Sequence, residues 1–156
     1  MKEQNRFMQR AVKLSIDNVR NGGGPFGAVI VKDGEVIAEG GNRVTANLDP
    51  TAHAEVSAIR AACQRVGDFR LKGCTIYTSC EPCPMCLSAI YWAGIDRIYY
   101  GNTKEDADAI GFGDDFIYRE LALPLAERAI PARQLMRTEA QQAFREWDEK
   151  EDKVEY

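Results

Sequence analysis

The stretch Pro25-Phe26-Gly27-Ala28-Val29-Ile30-Val31-Lys32-Asp33-Gly34-Glu35-Val36-Ile37-Ala38-Glu39-Gly40 decides the fold. Residues 26–32, rich in Val and Ile, read as a strand, and Asp33-Gly34 supplies the pair that accepts positive φ in a tight hairpin. Residues 35–40 return as the second strand. Upstream, Met8, Val12, Ile16 and Val19 recur at helical spacing, with Phe7, Ala11 and Leu14 widening the stripe. This predicts an amphipathic helix from residue 1 to about 21, stopped by Asn21-Gly22-Gly23-Gly24-Pro25. Downstream, 41–48 reads as a loop, and Asp49-Pro50 reads as the capped start of a helix running to about Val66. Residues 71–79 contain a strand, Pro82 opens a helix carrying Leu87, Ala89, Ile90 and a core Trp92, and 97–101 form a fourth strand. A turn around Gly111-Phe112-Gly113, a short helix near 116–121, a weak strand near 133–136 and a charged helix from 138 to about 150 complete the chain. Helices alternating with strands after a hairpin imply an α/β fold: a mixed sheet covered on both faces, three layers in the order α/β/α.

The 156 residues and 17.4 kDa suit one domain, 1–156, with a core of its own. With 45% hydrophobic and 28% charged residues, low-complexity and disordered classes are excluded. No apolar run approaches the roughly 18 residues that cross a bilayer, and the polar stretch 1–10 lacks the hydrophobic core of a signal peptide. A cytoplasmic location is the expectation. The net charge of −4 sits in the tail, since 139–156 hold seven acidic and three basic residues. Such a balance weighs against nucleic acid or an anionic membrane as partner and favours a small uncharged ligand.

Five cysteines and one histidine raise the question of metal. An odd cysteine count without a secretory leader argues against a disulfide framework. Thr51-Ala52-His53-Ala54-Glu55 and Glu81-Pro82-Cys83-Pro84-Met85-Cys86 each stand at the start of a predicted helix. Cys83 and Cys86, three apart, share a helical face whose dipole favours thiolate, and with His53 they make a donor set suited to zinc. Two arrangements stay open. In one, these three ligands leave a fourth position for water; in the other, Cys80 joins them in a closed structural site. Spacing favours the first, because Pro82 keeps Glu81 extended and takes Cys80 off the shared face. Glu55 reaches the same site only if His53 lies in the first turn of its helix, where a carboxylate moves protons to and from water. By itself an acidic residue there is more commonly dipole compensation.

His-Ala-Glu at 53–55 followed by Pro-Cys-x-x-Cys at 82–86 resembles the zinc-dependent cytidine deaminase superfamily. The resemblance implies that His53, Cys83 and Cys86 hold zinc, that hydroxide is the fourth ligand, and that Glu55 shuttles protons while an amino group leaves as ammonia. Cys80 has no ligand role in that pattern. Within the superfamily the likeness extends over essentially the whole chain to bacterial guanine deaminases, through Gly24 to Gly34, Asp49 to Glu55, Tyr77 to Leu87 and Ala89 to Ala93. Those core segments are shared with tRNA adenosine deaminases. Gly111-Phe112-Gly113-Asp114-Asp115-Phe116-Ile117-Tyr118 and the final Glu155-Tyr156 resemble the guanine enzymes, although Gly113 stands where that group can carry an acidic residue.

The resemblance to guanine deaminases implies attack of water at C2 of guanine, giving xanthine and ammonia. It further implies that Asn42 reads the purine edge, Phe26 contacts the ring face, Ala54 lines the substrate site, and Asp114 accepts from the 2-amino group. Asp114 would also help protonate the departing nitrogen, which makes it a catalytic candidate beside Glu55. Duller roles exist for each: Asn42 as a loop residue, Phe26 as core, Asp114 as a helix cap. The family also implies a homodimer in which a segment of about 138–156 is exchanged between subunits, so that Tyr156 caps the partner's purine. The competing functions are a tRNA adenosine deaminase, another small-molecule base or nucleoside deaminase, and a zinc-stabilised interaction module without activity.

Overall fold

The computed structural model describes residues 2–156, with side chains from residue 4 onward; Met1, where the sequence reading starts the first helix, lies outside the described residues. It divides into two compact units, one ending at Asp115 and one from Phe116 to Tyr156.

In the first unit the hairpin forms as expected. Strands β1 (Gly27–Lys32) and β2 (Glu35–Gly41) pair antiparallel, with Asp33 and Gly34 both at positive φ of 50° and 77°. Strand β3 (Cys74–Cys80) lies antiparallel to β1, and β4 (Arg97–Asn102) lies parallel to β3. The sheet order is β2-β1-β3-β4, so β1 is central and almost wholly buried. Alternate residues of β1 serve opposite faces. Ala28 and Ile30 join Ile76 in a core with Ala54, Ala58 and Ala62 of helix α3 (Ala54–Val66) and Ile90 of helix α4 (Pro84–Trp92). Val29 and Val31 face Phe7 and Ala11 of helix α1 (Lys2–Arg20), where Tyr77 stacks between Phe7 and Tyr99. A mixed sheet between two helical layers is the expected α/β/α architecture.

Several local expectations are corrected. The covered face of α1 runs through Phe7, Ala11 and Ser15, whereas Val12, Ile16 and Val19 of the predicted stripe are exposed. Close approach sets that rotation, because a Cβ on Gly27 would lie 2.5 Å from the carbonyl oxygen of Ala11. Helix α3 starts at Ala54 rather than after Asp49, whose carboxylate instead accepts from the Thr51 amide at 2.8 Å and its hydroxyl at 2.7 Å. Helix α4 starts at Pro84, not Pro82, with Cys83 as its N-cap. Strand β3 begins three residues late because Leu71 and Gly73 form a turn that the Cys74 amide closes onto the Leu71 carbonyl. The predicted loop contains a four-residue helix α2 (Val44–Asn47), too short to carry a period. Helix α5 (Lys104–Ala109) has a Thr103/Asp106 capping box but a single buried residue, Ala107. Trp92, read as core, is 72% exposed: it ends α4, whose buried face is Pro84, Cys86 and Ile90.

From Phe116 onward the second unit holds all but the first residue of helix α6 (Asp115–Ala122), a 3₁₀ turn (Leu125–Glu127) and helix α7 (Arg137–Glu149). Arg128 donates to the Leu123 and Leu121 carbonyls, satisfying the end of α6. Residues 133–136 form no strand, and Pro131 removes a backbone donor just upstream. Among the described residues no helix is long and apolar enough to cross a membrane.

The alanine stripe of α3 lies so close to β2 that a Cβ on Gly40 would stand 2.2 Å from the Ala54 carbonyl oxygen and 2.7 Å from the Ala58 nitrogen. Both are backbone atoms, so Gly40→Ala must push α3 off the sheet. The expected cost is about 1–3 kcal/mol of folding stability in urea titrations, with weakened metal retention at His53.

Candidate active site

Two helix starts meet at one point. His53 is the N-cap of α3 (φ −67°, ψ 161°) and Cys83 the N-cap of α4 (φ −66°, ψ 168°). Extended backbone at both caps turns each side chain across the end of its helix, and Pro84 at the first helical position needs no amide partner there. Cys86, one turn into α4, is fully buried and its amide donates to the Cys83 sulfur at 3.5 Å. His53 Nδ1 lies 3.5 Å from the sulfurs of both Cys83 and Cys86. Among the described residues these three form a cluster whose donor atoms all lie within 4.8 Å of one another.

The donor set fits zinc. Tetrahedral bonds of about 2.3 Å to sulfur and about 2.0 Å to nitrogen separate N from S by about 3.5 Å, the spacing found at both cysteines. Cys80 stands outside the cluster. Its sulfur donates to the Thr103 carbonyl at 3.5 Å, and burial pushes its thiol up to about 11, which keeps it protonated. The three-donor arrangement, rather than the closed four-donor one, is the one present.

The hydrogen bond from Cys86 brings the Cys83 thiol down to about 4, and the same bond with burial pushes Cys86 far up. The neighbouring Cys83 raises the imidazole of His53 above its ordinary value. Glu55 sits in the first turn of α3 with only 8% of its surface exposed, and burial pushes its carboxyl up. Asp114 is half-buried, and its carboxyl is raised by burial and then by the charge of Cys83.

Other candidates ring the same end of the sheet. Ala54 is buried at the start of α3. Phe26 precedes β1 and Asn42 follows β2, with the Asn42 amide donating to the Phe26 carbonyl at 3.2 Å. The Asn42 side-chain oxygen accepts from Val44 N at 3.2 Å. Phe112, given no role by sequence reasoning, meets Phe26 edge-on with centroids 5.1 Å apart at 88°. The available signal was an aromatic between two glycines in a polar turn, with no helix face to pack on. Tyr156 belongs to the second unit, where it is 85% exposed and shares a hollow with Phe144 and Trp147.

A family model for the cytidine and deoxycytidylate deaminase zinc-binding region matches residues 1–102. The chain belongs to this family of zinc-binding deaminases, and its cluster is the expected metal site. A guanine deaminase of Bacillus subtilis (strain 168) is 54% identical over 151 residues, which are 96% of this chain and 97% of the relative. The X-ray structure of guanine deaminase from Bacillus subtilis superposes with a TM-score of 0.95 at 53% identity, covering 97% of this chain and 98% of that one. A tRNA-specific adenosine deaminase of Agrobacterium fabrum (strain C58 / ATCC 33970) is 42% identical over 116 residues, 74% of this chain and 76% of its own.

Removal of single sulfurs separates the ligands from their neighbour. Purified Cys80→Ala protein retains one zinc per chain by atomic emission, whereas His53→Ala, Cys83→Ala and Cys86→Ala lose it. A Cys80→Ala protein that is metal-free after normal purification would reject the three-donor site.

Proposed function

We propose that this chain hydrolyses guanine at C2, giving xanthine and ammonia. The observation that carries this reading is a three-donor zinc cluster beside the buried Glu55 carboxyl, in a chain alike to a guanine deaminase over 96% of its length. When bound, zinc supplies a Lewis acid that lets water give up a proton near neutral pH.

Glu55 is the group that receives and returns protons. Burial raises its carboxyl, so that it takes up a proton more readily than an exposed glutamate does. As the water oxygen adds to C2, Glu55 passes one proton to N3. It passes the second to the amino group, which leaves as ammonia while the C2 carbonyl of xanthine forms. Asp114 accepts a hydrogen bond from the 2-amino group and selects a purine that carries one. Its carboxyl, raised by burial, suits it to hand on to the departing nitrogen the same second proton that Glu55 releases. Asn42 reads the purine edge with an amide that offers both a donor and an acceptor, Phe26 supplies an apolar surface for the ring face, and Ala54 lines the pocket floor.

In this reading residues 1–156 form one deaminase domain that works in the cytoplasm in purine catabolism. Two copies form a homodimer that exchanges the segment of about 138–156, and Tyr156 caps the purine held by the partner copy. The exposure of Trp92, Phe144 and Tyr156, three large aromatic side chains, supports a second copy as their cover. The acidic balance of the chain, −4 overall, supports a free base rather than a polyanionic tRNA as substrate.

Zinc-loaded protein offered free bases, nucleosides and tRNA releases ammonia from guanine, and Glu55→Gln lowers kcat by about 10²–10⁴ with zinc retained. An unchanged kcat in that variant would remove Glu55 from the chemistry. Deleting residues 154–156 raises KM for guanine at constant zinc content; equal kinetics would take Tyr156 out of the site.

A further inference from the structure

The C-terminal end of α1 carries a polar side chain that the chemistry above does not use. Asn18 is half-buried, and its side-chain nitrogen donates twice: to the Gly24 carbonyl at 2.7 Å and to the Asn42 carbonyl at 2.9 Å. Each acceptor is tied to a proposed purine contact. The Gly24 carbonyl also accepts from the Phe26 amide at 2.9 Å, and Asn42 is itself the edge-reading residue, its amide bonded to the Phe26 carbonyl at 3.2 Å. The backbone around Asn18 is equally committed, since its carbonyl accepts from Gly23 N at 2.8 Å and Asn21 N at 3.2 Å.

The surrounding glycines make room for this amide. A Cβ on Gly23 would lie 2.4 Å from the Asn18 side-chain nitrogen, and one on Gly41 would lie 2.8 Å from its oxygen. The chemistry of the position is specific. Two carbonyls converge on one atom, and a primary amide nitrogen carries two hydrogens to meet them, whereas an aspartate of the same shape carries none and an alanine cannot reach.

We infer that Asn18 is a positioning residue for purine recognition: its amide clamps the segment before β1 to the segment after β2, fixing Phe26 and Asn42 relative to each other. This rests on the reading of Phe26 and Asn42 as purine contacts. Asn18 lies outside the metal cluster and both its donated bonds go to backbone carbonyls, so its loss weakens binding of the base and leaves the proton transfers at Glu55 intact.

The test compares Asn18→Asp, Asn18→Ala, Asn42→Ala, Phe26→Ala and the double variant Asn18→Asp/Asn42→Ala in zinc-loaded, full-length protein. Asn18→Asp raises KM for guanine roughly tenfold, the loss of two ordinary hydrogen bonds, while kcat changes by less than about threefold and zinc stays at one per chain. The double variant has a smaller KM effect than the product of its two single effects, because Asn18 acts partly through Asn42. An unchanged KM in a folded Asn18 variant, with Asn42→Ala clearly raised, overturns the inference and leaves the site reading in place. Single effects that simply multiply also overturn it, as does loss of the fold in both Asn18 variants, which would make the residue structural alone. If Phe26→Ala and Asn42→Ala themselves leave KM unchanged, the site reading fails, and this inference falls with it by a distinguishable result.

Discussion

Two helices begin side by side against the end of one sheet, and each begins on a metal-binding residue. His53 and Cys83 both occupy the N-cap position with the same extended backbone, so the donors are aimed by helix initiation itself and not by side-chain choice. The positive ends of both helices then point at the cluster, which favours negative charge there, and Cys83 is the sulfur whose thiol is brought down. The arrangement requires α3 to lie very near the sheet. Alanines at 54, 58 and 62, all essentially buried, and a bare Cα at Gly40 permit that distance. Larger side chains on this seam would separate the helix starts by more than the 3.5 Å spacings between the imidazole and the two sulfurs tolerate.

The same placement sorts the carboxylates. Glu55 follows His53 by two residues, a spacing that normally sends side chains to opposite sides of a helix. With His53 at the N-cap that geometry does not hold, and Glu55 is buried beside the cluster from within the first turn. Asp114 arrives from the turn after α5, half-buried and less isolated from solvent. Under the proposed function, two carboxyls with different burial take different tasks, the more enclosed one repeated proton transfer and the more open one the reading of an amino group.

Much of this was legible in the sequence because it rested on strong local chemistry. Asp33-Gly34 pointed to a hairpin, and the residue types and spacing of His53, Cys83 and Cys86 pointed to zinc, while the resemblance to the deaminase superfamily was needed to set Cys80 aside. Failures fell where tertiary packing overrides pattern. The apolar stripe through Val12, Ile16 and Val19 is real, yet α1 turns Phe7 and Ala11 inward because Ala11 must sit on Gly27. Trp92 reads as core by residue type and is exposed by its place at the last turn of α4. Helix α5 was invisible to periodicity, since it buries one alanine, although its capping box was present in Thr103 and Asp106. Residues 133–136, Arg-Gln-Leu-Met, hold no β-branched or aromatic side chain, and the weak strand expected there does not form.

On the proposed site assignment, the division between what the helices and the loops contribute accounts for one scaffold serving different bases. The cluster and Glu55 sit at the starts of α3 and α4, and the relatives of this chain include both a guanine deaminase and a tRNA-specific adenosine deaminase. Phe26, Asn42, Phe112 and Asp114 instead lie at strand ends and in the turn beyond α5, where length and composition change without disturbing the sheet. Under the proposed assignment, selectivity therefore depends on how rigidly those loops are held relative to a fixed reactive centre. A loop that wanders by an ångström loses the base while the metal site remains whole, because near-attack geometry tolerates little misplacement. Hydrogen bonds that join one loop to another, such as those from Asn18 to both Gly24 and Asn42, consequently matter more to substrate choice than their modest individual strengths suggest.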